Sequence, residues 1–218
     1  MNKAATHRRD AAPPRRGRPK VMPDTDQRAH ILDCTTKLFL TKGYGRTTTD
    51  DVAARCRISK QTLYRLFSGK HALFAAIVDS HRQSMLALPA DYDDLPLDVA
   101  LEKILQTDID PASDRMRVAI LRMVVLEARQ FPELEDILHR HVGDRMRAEL
   151  AKWLEAQAKH GRITIDDANA VARVLLDMVF GAVISKASGR ITWPSRSERK
   201  SQIQRCVSIF LNGIVPRR

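Results

Sequence analysis

The sequence predicts an all-α protein, on three observations. Apolar residues recur at three- and four-residue spacing along most of the chain, and no segment alternates apolar and polar residues as a half-buried strand does. Aromatic residues make up only 5% of the 218 positions. Hydrophobic residues, at 44%, are enough to bury a sizeable core. The pattern divides into a basic arm (1–23), an N-terminal domain of short helices (24–85) and a C-terminal helical domain (86–218).

Residues 1–23 are rich in Arg, Pro and Ala and lack apolar periodicity, so they read as a disordered arm. Within it, Arg15-Arg16-Gly17-Arg18-Pro19-Lys20 resembles the AT-hook core. Arg16, Arg18 and Lys20 then suit a narrow A·T-rich minor groove, with a non-specific polycation as the alternative. A first helix is expected from Asp24 and Thr25, carrying Ile31, Leu32, Thr35, Leu38 and Phe39 inward and closing at Gly43. After the turn Gly43-Tyr44-Gly45, a short helix begins at Thr48-Thr49 with Asp50 and Asp51 in its first turn, and runs out near Cys56. Ser59 caps a third over 60–67, and a fourth starts near Lys70. Helices are expected over 97–106, 114–130, 132–160, 166–188 and 195–213, separated by Asp110-Pro111, Phe131-Pro132, Gly161, Gly189 and Pro194.

Charge is unevenly distributed. The net charge is +11, and residues 1–85 hold 17 Lys/Arg against 7 Asp/Glu, whereas the remaining 20 and 19 nearly cancel. A localised positive field attracts polyanions and gains from counterion release. Three widely spaced cysteines argue against a disulfide framework, no apolar run reaches membrane-spanning length, and no leader is evident. A cytoplasmic protein is therefore expected.

Two short helices joined by about three residues, the second outwardly polar, form a helix-turn-helix pattern over 48–67. Leu63 and Phe67 point inward at i, i+4. Lys60, Gln61 and Arg65 are the candidates for base edges, because Arg and Lys pair with guanine and Gln with adenine. Thr48, Thr49, Ser59, Thr62 and Tyr64 offer hydroxyls suited to phosphate.

These residues carry a resemblance to a known family. Gly43-Tyr44, Thr47-Thr48-Thr49-Asp50-Asp51-Val52-Ala53, Ser59-Lys60-Gln61-Thr62-Leu63-Tyr64 and Phe67-Ser68-Gly69-Lys70 together resemble the TetR family, named for the tetracycline repressor. The resemblance covers about 26–78. It implies a regulator that binds a pseudo-palindromic operator as a homodimer, with Thr62 and Tyr64 at DNA-contact positions and Lys70 on phosphate. Two positions depart from the family: Arg57 stands where the interhelical turn usually has Gly, and His71 where an acidic residue is frequent. Arg57 is counted among the candidate DNA contacts.

The stretch Phe131-Pro132-Glu133-Leu134, the long helix to Gly161-Arg162-Ile163 and the start Asp166-Asp167 resemble a common effector-domain subtype of that family. The resemblance implies dimerisation through 166–188 and 195–213 and a small-molecule effector of apolar or amphipathic character. Met116, Met123, Leu126, Met146, Trp153 and Met178 are candidate pocket residues, with ordinary core packing as the alternative. Arg117, Arg122 and Arg129 read as a solvated face. No nucleophile elbow or phosphate loop is present and no metal ligand is assigned, so neither enzyme chemistry nor a cofactor is expected; Cys34 and Cys56 read as inert buried thiols, with a redox or metal sensor as the alternative. A structural DNA-binding protein of the same form, without an effector, is the alternative function; an enclosed cavity of some hundreds of cubic ångströms would separate the two.

Overall fold

The computed structural model describes residues 23–214 except 139, 141, 142, 184, 188 and 189. The arm and its Arg16, Arg18 and Lys20 therefore lie outside the described residues. Ten α-helices account for most of what is described. α1 (Asp24–Lys42), α2 (Thr49–Cys56), α3 (Lys60–Leu66) and α4 (Lys70–Ser80) come first. A 3-10 turn (Arg82–Ser84) follows, then α5 (Leu97–Ile104), α6 (Pro111–Ala128), α7 (Pro132–Leu138), α8 (Asp144–Lys159), α9 (Ala168–Val183) and α10 (Arg196–Ile214).

α2 and α3 begin at the caps Thr48 and Ser59, whereas α1 and α4 begin after Pro23 and Gly69 without a side-chain cap. α1 stops at Gly43, whose φ of 86° is accessible to glycine at little cost. α6 starts earlier than periodicity suggested: Pro111 occupies the first turn and Asp110 accepts the amides of Ala112 (2.9 Å) and Ser113 (3.0 Å).

Two expected helices are divided. The segment 132–160 breaks between α7 and α8, with wider π-type backbone at Arg140 and Gly143. Arg140 Nε donates to the Asp136 carbonyl at 3.2 Å. The segment 166–188 ends as a helix at Val183 and continues as β1 (Ser185–Ala187), paired antiparallel with β2 (Arg190–Thr192) in the register Ser185↔Thr192, Lys186↔Ile191 and Ala187↔Arg190. This ribbon corrects the expectation of no strand. The β-branched Ile191 and Thr192 favour extended backbone, a signal too short to register as alternation.

Side chains pack into two cores. The smaller joins Ile31, Cys34, Val52, Ala53, Cys56, Leu63, Phe67 and Leu73 and holds α1–α4 together. The larger runs through α5–α10 and also takes in Phe39 and Tyr44 from the end of α1 and its turn, and Phe74, Ile77 and Val78 from α4. α1 and α4 therefore belong to both cores, which sets the helix-turn-helix on a rigid mount.

Candidate nucleic-acid interface

The turn from α2 to α3 is built from backbone bonds. Thr48 caps α2: its hydroxyl accepts the Asp51 amide (3.1 Å), and the Asp51 carboxylate accepts the Thr48 amide (2.8 Å), forming a capping box. Lys42 Nζ donates to the same carboxylate at 2.6 Å, and with the Thr48 bonds it pulls the Asp51 pKa down to about 2. At the other end Arg57 adopts φ 56°, ψ 44°, left-handed. Its amide donates to Ala54 O (3.2 Å) and the Ile58 amide to Ala53 O (3.0 Å), a Schellman closure. Ser59 then caps α3, accepting the Thr62 amide at 3.0 Å.

Leu63 and Phe67 are buried as expected, leaving Ser59, Lys60, Gln61, Tyr64 and Arg65 exposed and Thr62 half-buried. Tyr64 Oη lies 3.0 Å from Thr49 Oγ1, so these two hydroxyls bridge α3 to the start of α2. The Thr62 hydroxyl lies 2.9 Å from that of Ser59. Two of the three candidate base readers are held by carboxylates of their own chain. Lys60 pairs with Asp50 at 2.7 Å, and Arg65 with Asp24 at 2.6 Å and with Gln27 Oε1 at 3.0 Å. Asp50 raises the Lys60 pKa and Asp24 raises that of Arg65, so both stay cationic. Exposed pairs of this kind contribute only about 0–1 kcal/mol, so a polyanion can displace them.

Lys70, at the first position of α4, is turned toward the Gly43-Tyr44-Gly45 turn. Its Nζ donates to the carbonyls of Tyr44 (3.1 Å) and Gly45 (3.4 Å) and stands 4.2 Å from the centre of the Tyr44 ring. The amides of this turn are held from the opposite direction. Tyr44 N–H donates to Glu127 Oε1 at 2.9 Å and Gly45 N–H to Glu127 Oε2 at 3.3 Å. The Tyr44 ring meets Phe131, Phe74 and Phe39 edge-on with centres 5.3–5.4 Å apart. Burial, with Glu133 and Glu127 nearby, pushes the Tyr44 phenol up to about 12, so it stays neutral. A side chain at either glycine would force a neighbour to shift. A Cβ on Gly43 would stand 2.9 Å from Glu127 Oε1, and one on Gly45 would stand 2.6 Å from the Phe131 ring. Sequence reading named Phe131 only as part of a motif and passed over Glu127.

The six candidate pocket residues do not converge. Met123 and Leu126 line an open cleft of about 740 Å³ between the end of α1, α6 and the start of α10. Met146 lines a small cavity of about 30 Å³ inside the bundle. Trp153 is buried in the core, Met116 is exposed and Met178 is half-buried. Of these two spaces among the described residues, the larger is an open cleft and the smaller holds only about 30 Å³. Arg117 departs from the solvated face to which it was assigned, whereas Arg122 and Arg129 are exposed. Buried Asp114 accepts from Arg117 (2.8 Å) and from Arg199, and Arg117 also reaches the carbonyls of Ser84 (3.4 Å) and Gln106 (3.3 Å). Burial raises the Asp114 pKa, but the two guanidinium groups outweigh it and hold the carboxyl below its ordinary value.

Capped short helices over a small core, an exposed polar second helix and a helical bundle behind them define a helix-turn-helix regulator. Residues 31–77 match the family model for bacterial regulatory proteins of the tetR family, and residues 99–213 match that for the C-terminal domain of AefR-like transcriptional repressors. The chain therefore belongs to the TetR family of transcriptional regulators, which are not enzymes. It is similar to the HTH-type transcriptional regulator Rv1556 of Mycobacterium tuberculosis, at 28% identity over 76% of this chain and 78% of that protein. Similarity to the regulator YvkB of Bacillus subtilis is 24% over 84% and 95%. Among solved structures, a TetR-family regulator from Rhodococcus sp. shares the fold at a TM-score of 0.68 and 18% identity, covering 85% of this chain and 98% of that one. The flavonoid-responsive regulator FrrA shares it at a TM-score of 0.66 and 24% identity, over 89% and 100%. Among the described residues no helix is long and apolar enough to cross a membrane.

Proposed function

We propose that the chain is a homodimeric repressor that reads a pseudo-palindromic operator through α3 and releases it when a small molecule occupies the cleft beside α6. The observation that carries this reading is Glu127, which lines the cleft and holds the amides of Tyr44 and Gly45. A ligand that engages or displaces this carboxylate changes how α1 and α4 are mounted, and with them the separation of two reading heads.

In this reading Lys60 and Arg65 leave their own carboxylates and join Gln61 on base edges, while Thr48, Thr49, Arg57, Ser59, Thr62, Tyr64 and Lys70 position the backbone. The cleft combines Phe39, Leu40 and Met123 with Arg46, Arg115 and Arg122. An amphipathic effector carrying an anionic group fits it best. The wall formed by Val118 and Arg199 is shared with the small apolar cavity, so a ligand tail could open that space further. Response to a small molecule is also in the printed description of FrrA.

Dimerisation is assigned to α9 and α10, where Val174 and Ile209 are 54% and 59% exposed on faces turned away from the core. Paired heads explain why a two-fold operator is expected. A cytoplasmic location follows from action on the chromosome. The test is selection of bound DNA from a random pool by the purified full chain. A two-fold symmetric site should be enriched, and failure to enrich one would sink the proposal.

A further inference from the structure

In the small core, well away from the cleft, His30 and Cys34 stand one helical turn apart on α1 and face Cys56, the last residue of α2. One ligand atom from each lies within 4.8 Å of the other two. Cys34 Sγ is 4.0 Å from His30 Nδ1 and 3.8 Å from Nε2. Both thiols are buried, while His30 is exposed at the edge of the cluster.

We propose that His30, Cys34 and Cys56 form a binding site for a borderline-soft divalent cation, Zn²⁺ by its chemistry, with water from the His30 side as fourth ligand.

Three arguments support this site. The first is reach: Zn–S and Zn–N bonds of about 2.3 and 2.0 Å place tetrahedral ligand atoms about 3.4–3.8 Å apart. The present spacing, within 4.8 Å, exceeds that by about 1 Å. The second is charge. Two thiolates neutralise a divalent ion, so the loaded site adds no net charge to an apolar core, whereas a monovalent copper ion would leave a buried anion. Mg²⁺ and Ca²⁺ prefer oxygen ligands, and the set offers none. The third is orientation. His30 Nε2 lies 3.3 Å from the Cys56 carbonyl; donating there leaves Nδ1 with its lone pair free for a metal. Burial and the neighbouring Cys34 push the pKa of the Cys56 thiol up. Binding is therefore an exchange: one Zn²⁺ enters, two S–H bonds break, two Zn–S bonds form and two protons pass to solvent.

An ion here would staple α1 to the end of α2, three residues before the Ser59 cap of α3. Full-length protein, stripped of metal and kept reduced with a phosphine, is titrated with Co²⁺ and then Zn²⁺. One Co²⁺ per chain should give thiolate charge-transfer and tetrahedral ligand-field bands that Zn²⁺ bleaches, and Zn²⁺ should raise Tm. Cys34→Ser and Cys56→Ser should abolish the bands, while Cys206→Ser should keep them. His30 is exposed, so His30→Gln should fold normally and weaken Zn²⁺ binding by at least about tenfold. Absent charge-transfer bands in the parent, or unchanged affinity in His30→Gln, would overturn the proposal even if the cysteine variants fail to fold.

Discussion

At Arg57 the left-handed backbone sets a folding cost against the proposed contact with phosphate. The left-handed backbone costs a non-glycine residue about 1–2 kcal/mol, partly offset because glycine has more freedom to lose on folding. Arg57→Gly should therefore raise stability by about 0.5–1 kcal/mol in chemical denaturation. If the guanidinium reaches phosphate, the same change should shallow the salt dependence of operator binding by about one unit. A destabilised variant would mean that Arg57 makes a folded-state contact beyond its backbone. Asp51 gives a pH prediction. Its folded pKa, about 2, is depressed, so its contribution is present above the ordinary carboxylate value and is lost as pH falls from about 4 toward 2. Asp51→Asn should flatten the acid limb of the stability curve in that window. Lys70→Ala should reduce the salt slope by about one unit and lower Tm, because the ammonium also braces the Tyr44 turn. Equal salt slopes would remove Lys70 from the phosphate contacts. Thr48, Ser59 and Gly43 were legible in sequence because each cap acts within four residues. Glu127 was not, since its partner Tyr44 lies 83 residues away.

Among the elements, the turn between α1 and α2 is the most tightly specified. Gly45→Ala places a methyl against the Phe131 ring, so the ring or the turn must shift. A loss of about 1–3 kcal/mol is expected, the usual range for overpacking. Full stability in the variant would show that the turn is looser than its geometry implies. α9 and α10 carry the assigned dimer face. Ile209→Asp combined with Val174→Asp should give a monomer in analytical ultracentrifugation with its helical spectrum intact. A persistent dimer would move the interface elsewhere. The sequence located these helices well where Pro and Gly punctuate the chain. It overran at 132–160 and 166–188, where apolar periodicity continues across the break and only tertiary packing decides which bonds are made.

For the molecule as a whole, the architecture was readable because helix signals are local and the basic charge is concentrated near one end. How the halves meet was not, because the cleft and the two hydrogen bonds from Glu127 arise only when α6 meets the end of α1. Glu127→Ala should leave operator affinity within a few-fold while reducing the response to any effector found; full responsiveness in that variant would remove these two bonds from the mechanism. Deleting residues 1–22 should weaken binding most on A·T-rich flanks if Arg16, Arg18 and Lys20 enter a minor groove, and uniformly if the arm is only a polycation.

The pairing of Lys60 with Asp50 and of Arg65 with Asp24 has a consequence for how such a protein would search a chromosome. Each carboxylate competes with DNA for the same cation. A random sequence, which offers only phosphate, must displace that competitor with little in return. A correct site answers with bidentate base contacts of about 1–3 kcal/mol each. With Lys60 and Arg65 as the proposed base readers, that displacement cost falls on correct and random sites alike, so it lowers both affinities and leaves their ratio to the base contacts.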